Sequence, residues 1–175
     1  MVSAVRFPAS QRGFTAAELL ITLTVVGILA AVAIPSMTEM LNMQRVRGVS
    51  YDLNADLTFA RSQAIARGHN VQVSSVGAGT DWNQGWTIID TTAAPNVQLR
   101  VEGQCTGASP PSPCNLASGV AFTADVTSVT FDRNGRAGTA SFNIVPAAAT
   151  SNADLKRCVK LDPSGRPRTL TGACP

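Results

Sequence analysis

Hydrophobic residues fall into two regimes along this chain. Residues 14–34 form a run of 21 with a single charge, Glu18. As a helix it covers about 31 Å at ~1.5 Å per residue, close to the ~30 Å hydrocarbon core of a bilayer, so a transmembrane helix is predicted at 14–35. Pro35 closes the run and predicts a kink, which nearby Ser and Thr side chains can relieve. Beyond it, Val49, Leu53, Leu57, Ala60 and Ala64 recur at spacings of three and four, while Arg45, Arg47, Asp52, Asp56 and Arg61 lie off that stripe. This periodicity predicts an amphipathic helix that packs one stripe on a sheet. Gly68 is its expected stop, so the whole helix is predicted from about residue 14 to residue 67.

After Gly68 the period changes to alternation. Strands are predicted at 71–75, 85–90, 98–102, 120–122, 128–132, 140–145 and 158–161, with Gly, Pro, Asn or Asp between them. Asn134-Gly135 is a strong hairpin signal. The expected class is α+β: a long N-terminal helix packed on an antiparallel sheet. Two stretches leave the sheet. Residues 106–114 contain Gly107, Pro110, Pro111 and Pro113 and cannot be a central strand, and 146–152 is an Ala- and Ser-rich connection. Trp86 is expected in the core, and Trp82 at an edge or in the core. No internal repeat is evident.

Composition alters this picture in one respect, the placement of charge. Residues 1–13 carry Arg6 and Arg12 and no acid, so that end is expected to stay cytoplasmic. Residues 14–150 hold seven basic and nine acidic side chains, whereas 151–175 hold five basic and two acidic ones. A mildly acidic body therefore ends in a basic tail. The four cysteines, Cys105, Cys114, Cys158 and Cys174, lie beyond the apolar run, on the side expected outside the cytoplasm. An even count there predicts two disulfides; of three connectivities, Cys105–Cys114 with Cys158–Cys174 is favoured. The second bridge would brace the tail into a loop. Structural zinc is the competing account, but eight and fifteen intervening residues lack its close cysteine pairs.

An ordinary secretory signal is cut behind its apolar stretch, whereas the conspicuous junction here, Gly13-Phe14, lies ahead of it. Gly13, Phe14, Thr15, Glu18 and Leu19, followed by the apolar run ending at Pro35, resemble the class III signal of type IV pilins and type II secretion pseudopilins. That resemblance implies a leader, 1–13, cut after Gly13 by a prepilin peptidase. It also implies N-methylation of Phe14, and pairing of Glu18 with the Phe14 amine of a neighbouring subunit during assembly. A carboxylate in lipid is costly enough to require such a partner. Residues 36–175 would form the globular pilin domain. The implied location is the inner membrane as a single-pass protein, then the periplasm and a cell-surface pilus, with minor and major pilins as partners.

Three further stretches look like the GspH/FimT group of minor pilins and pseudopilins: Val129-Thr130-Phe131-Asp132-Arg133-Asn134-Gly135-Arg136, Ala60-Arg61-Ser62-Gln63-Ala64-Ile65, and Gly85-Trp86. In the tail, Gly165, Arg166 and Arg168 match the G-R-x-R segment of FimT-type minor pilins, which bind DNA during natural transformation. Arg166 precedes a proline and is biased to extended backbone, where residues two apart share a face, so Arg166 and Arg168 are expected to form a cationic fork. Lys156, Arg157 and Lys160 add charge nearby, and guanidinium groups bind phosphate oxygens bidentately. The tail has no aromatic residue, so the expectation is sequence-tolerant binding of double-stranded DNA through its phosphates. Arg133 and Arg136, beside Asp132, are expected on a simple solvated turn. A structural pilin that initiates assembly, or a secretion pseudopilin, shares every feature up to about residue 150 and differs only in the tail. No nucleophile–base constellation, phosphate loop, cofactor motif or metal cluster is apparent, and the single His69 reads as a solvated residue at the helix end, so no enzyme activity is expected.

Overall fold

Helix α1 runs from Ala16 to Arg67. The computed structural model describes residues 14–76, 79–92, 95–102, 119–148 and 152–175, without the side chains of Val32, Pro35 and Ser36. The chain divides into two units at Glu39 and Met40. In the first unit the Thr15 hydroxyl accepts the Glu18 amide at 3.2 Å. That amide is one of the four that a helix start leaves without an intrahelical acceptor. In the apolar run that follows, Leu20, Ile21, Val26, Ile28 and Leu29 are exposed. Thr22 and Thr24 donate back to the carbonyls of Leu19, Leu20 and Ile21 at 2.7–2.9 Å, so their hydroxyls ask nothing of the surroundings. Among the described residues no helix is long and apolar enough to cross a membrane.

The second unit holds the core. The predicted stripe Val49, Leu53, Leu57, Ala60 and Ala64 is buried, joined by Val46 one turn earlier. α1 ends as anticipated, with Gly68 in the left-handed conformation at φ 66°. The strands are β1 (Val71–Ser75), β2 (Trp86–Asp90), β3 (Val97–Glu102), β4 (Val120–Ala124), β5 (Ser128–Phe131), β6 (Ala140–Pro146), β7 (Arg157–Leu161) and β8 (Pro167–Thr171). They form two four-stranded antiparallel sheets rather than a single one, in the orders β3-β2-β1-β5 and β4-β6-β7-β8. The segment around Trp82 joins them. The Trp82 amide donates to the Phe122 carbonyl at 3.1 Å and the Ala124 amide to that of Thr80 at 3.2 Å. Trp82, Trp86, Phe122 and Phe142 pack beneath this seam with ring centres 5.0–6.5 Å apart, and both tryptophans belong to the core.

One buried group departs from its expected place. Asp56 is 1% exposed, accepts from Trp86 Nε1 at 2.8 Å and faces Arg100 Nη1 at 3.0 Å. Burial pushes its carboxyl above the ordinary value, against the opposing pull of Trp86 and Arg100. The pair pins edge strand β3 to the helix. The Cys105–Cys114 bridge and the 106–114 excursion lie outside the described residues.

Candidate nucleic-acid interface

The basic tail is a β-hairpin. β7 and β8 pair antiparallel, with Lys160 opposite Arg168 and Leu161 opposite Pro167. Arg166 closes the turn: its carbonyl accepts the Asp162 amide at 3.3 Å, and the strand begins at Pro167. Proline is tolerated there as the first residue of an edge strand. Beyond β8 the chain folds back, and Cys174 is joined to Cys158 of β7. The brace predicted for the tail is therefore present, although it encloses a strand as well as a loop.

Pairing parity sorts the basic side chains. Val159 and Leu161 point into the core. Side chains alternate along a strand, so Arg157 shares their side and Lys160 lies on the outer face with Arg168. Arg157 Nη1 donates to the carbonyls of Asp154 and Lys156, both at 2.7 Å, and lines a groove against α1. The single patch expected from Lys156, Arg157, Lys160, Arg166 and Arg168 is thus divided between two faces. Lys160 and Arg168 line one outer recess of about 460 Å³ together with Ser141 and Asp162.

The turn that carries Gly165 has a twin. Asp132-Arg133-Asn134-Gly135-Arg136 and Asp162-Pro163-Ser164-Gly165-Arg166 share the pattern Asp-x-Asn/Ser-Gly-Arg. In both, the aspartate carboxylate accepts the amides two and four residues on, at 2.8–3.2 Å. In both, the glycine is left-handed, at φ 74° and 72°. The two turns touch: a Cβ on Gly165 would lie 2.2 Å from the Gly135 carbonyl oxygen. Arg61 Nε donates to that same oxygen at 3.0 Å. The turn 132–136 is therefore packed against the tail rather than simply solvated. Arg133 and Arg136, both exposed, thus lie on a turn that touches the one carrying Arg166. The recurring pattern is visible in the sequence, as two five-residue stretches at 132–136 and 162–166.

Asp162 fixes the turn electrostatically. Its carboxyl lies below the ordinary 3.8, chiefly because the ionised form accepts from the Ser164 hydroxyl and then from the Arg166 amide, with Arg168 adding attraction. A depressed folded pKa stabilises the fold above the unfolded value, and that contribution is lost as pH falls through the folded one. An NMR titration of the Ser164 and Arg166 amides should accordingly show a shared midpoint below 3.8. Asp162→Asn should abolish that step; a midpoint at or above the ordinary value would mean that the carboxylate does not hold the turn.

At the other end, Gly13 lies outside the described residues, Phe14 is 85% exposed, and Glu18 stands in the first turn of α1. His69 is not a bare solvated cap, since its Nδ1 lies 3.3 Å from Asp90 Oδ2, beside Arg67 at 3.7 Å. Among the described residues no cluster of three His, Cys, Asp or Glu is placed to hold a metal.

A family model described as "Type II transport protein GspH" matches residues 51–165. The type IV major alpha-pilin of Moraxella bovis is 32% identical over 98 residues, 56% of this chain and 61% of the relative. A fimbrial protein of Pseudomonas aeruginosa is 31% identical over 93 residues, 51% of this chain and 60% of that one. The chain thus spans about three-fifths of the length of the curated relatives it matches. Among solved structures, the type IV minor pilin FimU of Pseudomonas aeruginosa aligns at TM-score 0.56 and 20% identity, covering 73% of this chain and 89% of that one. The minor pseudopilin EpsH of the Vibrio cholerae type 2 secretion system aligns at 0.54 and 13%, covering 73% and 97%. At those identities the likeness is one of fold.

Proposed function

Because the chain belongs to the GspH family of type II transport proteins, with the fold of minor pilins and pseudopilins, we propose that it is a minor type IV pilin that holds extracellular double-stranded DNA for uptake in natural transformation. One observation carries the reading: Lys160 and Arg168 stand directly opposite each other on the outer face of an edge hairpin. Like charges in that relation destabilise a strand pair, so an anionic partner is the natural compensation. Asp162, the carboxylate beside them, attracts Arg168 but is shared with the amides of its own turn, so it offsets the pair only in part. Arg166 and Arg168, with Arg133 and Arg136 on the adjoining turn, extend the positive surface. Lys156 and Arg157 flank it. With roughly two to five phosphates contacted, log affinity falls against log salt with a slope of about −2 to −4.5.

The same reading covers the other end of the chain. A prepilin peptidase removes 1–13 after Gly13, Phe14 is N-methylated, and residues 14–35 cross the inner membrane until assembly transfers them to the filament core. An apolar surface all round the helix and threonines bonded to their own backbone suit both surroundings. Glu18 then pairs with the Phe14 amine of an adjacent minor or major pilin.

Titrating the disulfide-intact chain in detergent with labelled duplex DNA at two salt concentrations tests the tail. Arg168→Gln and Lys160→Gln should each weaken binding roughly tenfold or more, as loss of a charge-assisted contact implies, and flatten the salt slope. A second reading has its own support, because Gly165 is fully accounted for by its contact with Gly135, without any ligand. If wild type ignores duplex DNA at low salt, or both variants bind as well as it does, the protein is a structural pilin or pseudopilin.

A further inference from the structure

The helix side of the tail hairpin bears a different kind of site. Between α1 and β8 lies an open groove of about 840 Å³, lined by Arg47, Tyr51, Asn54, Arg157 and Thr169 with small side chains between them. No carboxylate lines it. Tyr51, the chain's single tyrosine, is 76% exposed on its rim. That is an unusual position for a large ring, since aromatic side chains ordinarily contribute their area to a core or an interface. Asn54 Nδ2 donates to Thr169 Oγ1 at 3.1 Å, tying the groove floor to β8. At one end Arg157 is held by two carbonyls, which orient its guanidinium and leave its charge uncompensated. Neither Arg157 nor Arg47 has an acidic partner within 4.0 Å among the described residues.

We propose that this groove is a nucleotide subsite, in which a base stacks on Tyr51 while the adjoining phosphates meet Arg47 and Arg157, so that it takes single-stranded nucleic acid. The lining matches that chemistry at both ends: two cations without an acid, Arg157 held by its carbonyls and Arg47 exposed, suit a phosphate chain, and an exposed π-face accepts any base without sequence preference. An aliphatic peptide or lipid tail would bring no use for the arginines. Continuity adds to the argument. Thr169 in the groove and Arg168 on the outer face are consecutive residues of one edge strand. A nucleic acid lying on the outer face crosses only β8 to reach Tyr51. The inference rests on nucleic acid being the partner of this hairpin, and it extends the partner to strand ends and unpaired segments.

The test uses the full, disulfide-intact chain in detergent and three labelled probes: a thymidine oligonucleotide, the same length of abasic sugar-phosphate, and a duplex. Tyr51→Ala should weaken the oligonucleotide roughly fivefold to a hundredfold, the range of one lost base–aromatic stack. Its abasic and duplex affinities should not change, and Tyr51→Phe should restore the oligonucleotide. Equal affinity of wild type for the abasic and thymidine chains, or an unaffected Tyr51→Ala, overturns the subsite. A Tyr51→Ala variant that changes sedimentation of the protein alone, with oligonucleotide affinity intact, also overturns it and assigns the groove to a second copy of the chain. If Arg168→Gln leaves duplex binding intact while the Tyr51 effect persists, the outer-face reading fails and the groove stands. Failure of wild type to bind any probe removes both.

Discussion

Replacing Gly165 with alanine should cost roughly 2–4 kcal/mol, far more than the same change at most glycines. Two terms add. A left-handed backbone disfavours any side chain by about 1 kcal/mol or more, and Gly165 sits at φ 72°. The new methyl would also occupy a point 2.2 Å from the Gly135 carbonyl oxygen, a separation that backbone atoms do not tolerate. The turns must move apart, and the Arg61–Gly135 hydrogen bond at 3.0 Å goes with them, adding about 1–3 kcal/mol for the polar groups left unsatisfied. Two companion variants separate the causes. Gly135→Ala meets the flexible end of Ile65 at 2.6 Å and should be milder. Gly172→Ala, left-handed at φ 103° with open space around it, should show the backbone term alone. Chemical denaturation of the three should rank them in that order; equal losses would show that the contact between the turns contributes nothing.

Removing the Cys158–Cys174 bridge as a double alanine variant should cost about 3 kcal/mol, the chain-entropy value for a loop of this size, the cysteines being 16 apart in sequence. In thermal unfolding that corresponds to roughly 6–12 °C for a protein of this length. The loss should be local in its first effects. All of β8 apart from Pro167 is exposed, so the strand draws little from the core. Besides its ladder to β7, it is held by Asn54 through Thr169 and by the bridge that follows it. Amide exchange at Arg168 and Leu170 should therefore accelerate well before exchange in the core strands. Uniform acceleration across both sheets would instead mean that the bridge stabilises the unit as a whole.

Both expectations concern elements that were only partly legible in advance. The buried stripe of α1, its glycine stop and seven of the eight strands follow from periodicity, because a side chain's face is set locally by 3.6- or 2-residue repetition. β8 escaped that logic. Pro167-Arg168-Thr169-Leu170-Thr171 has no apolar alternation, being an exposed edge whose pairing comes from β7 rather than from burial. Asp56 lies off the apolar stripe, and nothing near it in sequence announces that Trp86 and Arg100, 30 and 44 positions away, close over it.

Taken by itself, the sequence determined the apolar run with its single glutamate, the amphipathic helix, the strand periods and a basic ending with two well-spaced cysteines. All of these are written in the spacing of neighbouring residues. Tertiary structure alone decided that the strands divide into two sheets, that Lys160 and Arg168 share a face which Arg157 does not, and that Tyr51 borders a groove with Arg157. It also decided that two Asp-x-Asn/Ser-Gly-Arg turns, 30 residues apart, meet glycine to glycine under Arg61. The reason is physical. Local repetition fixes the direction of each side chain relative to its own strand or helix, whereas register and strand order, set by packing across the whole unit, fix which side chains become neighbours.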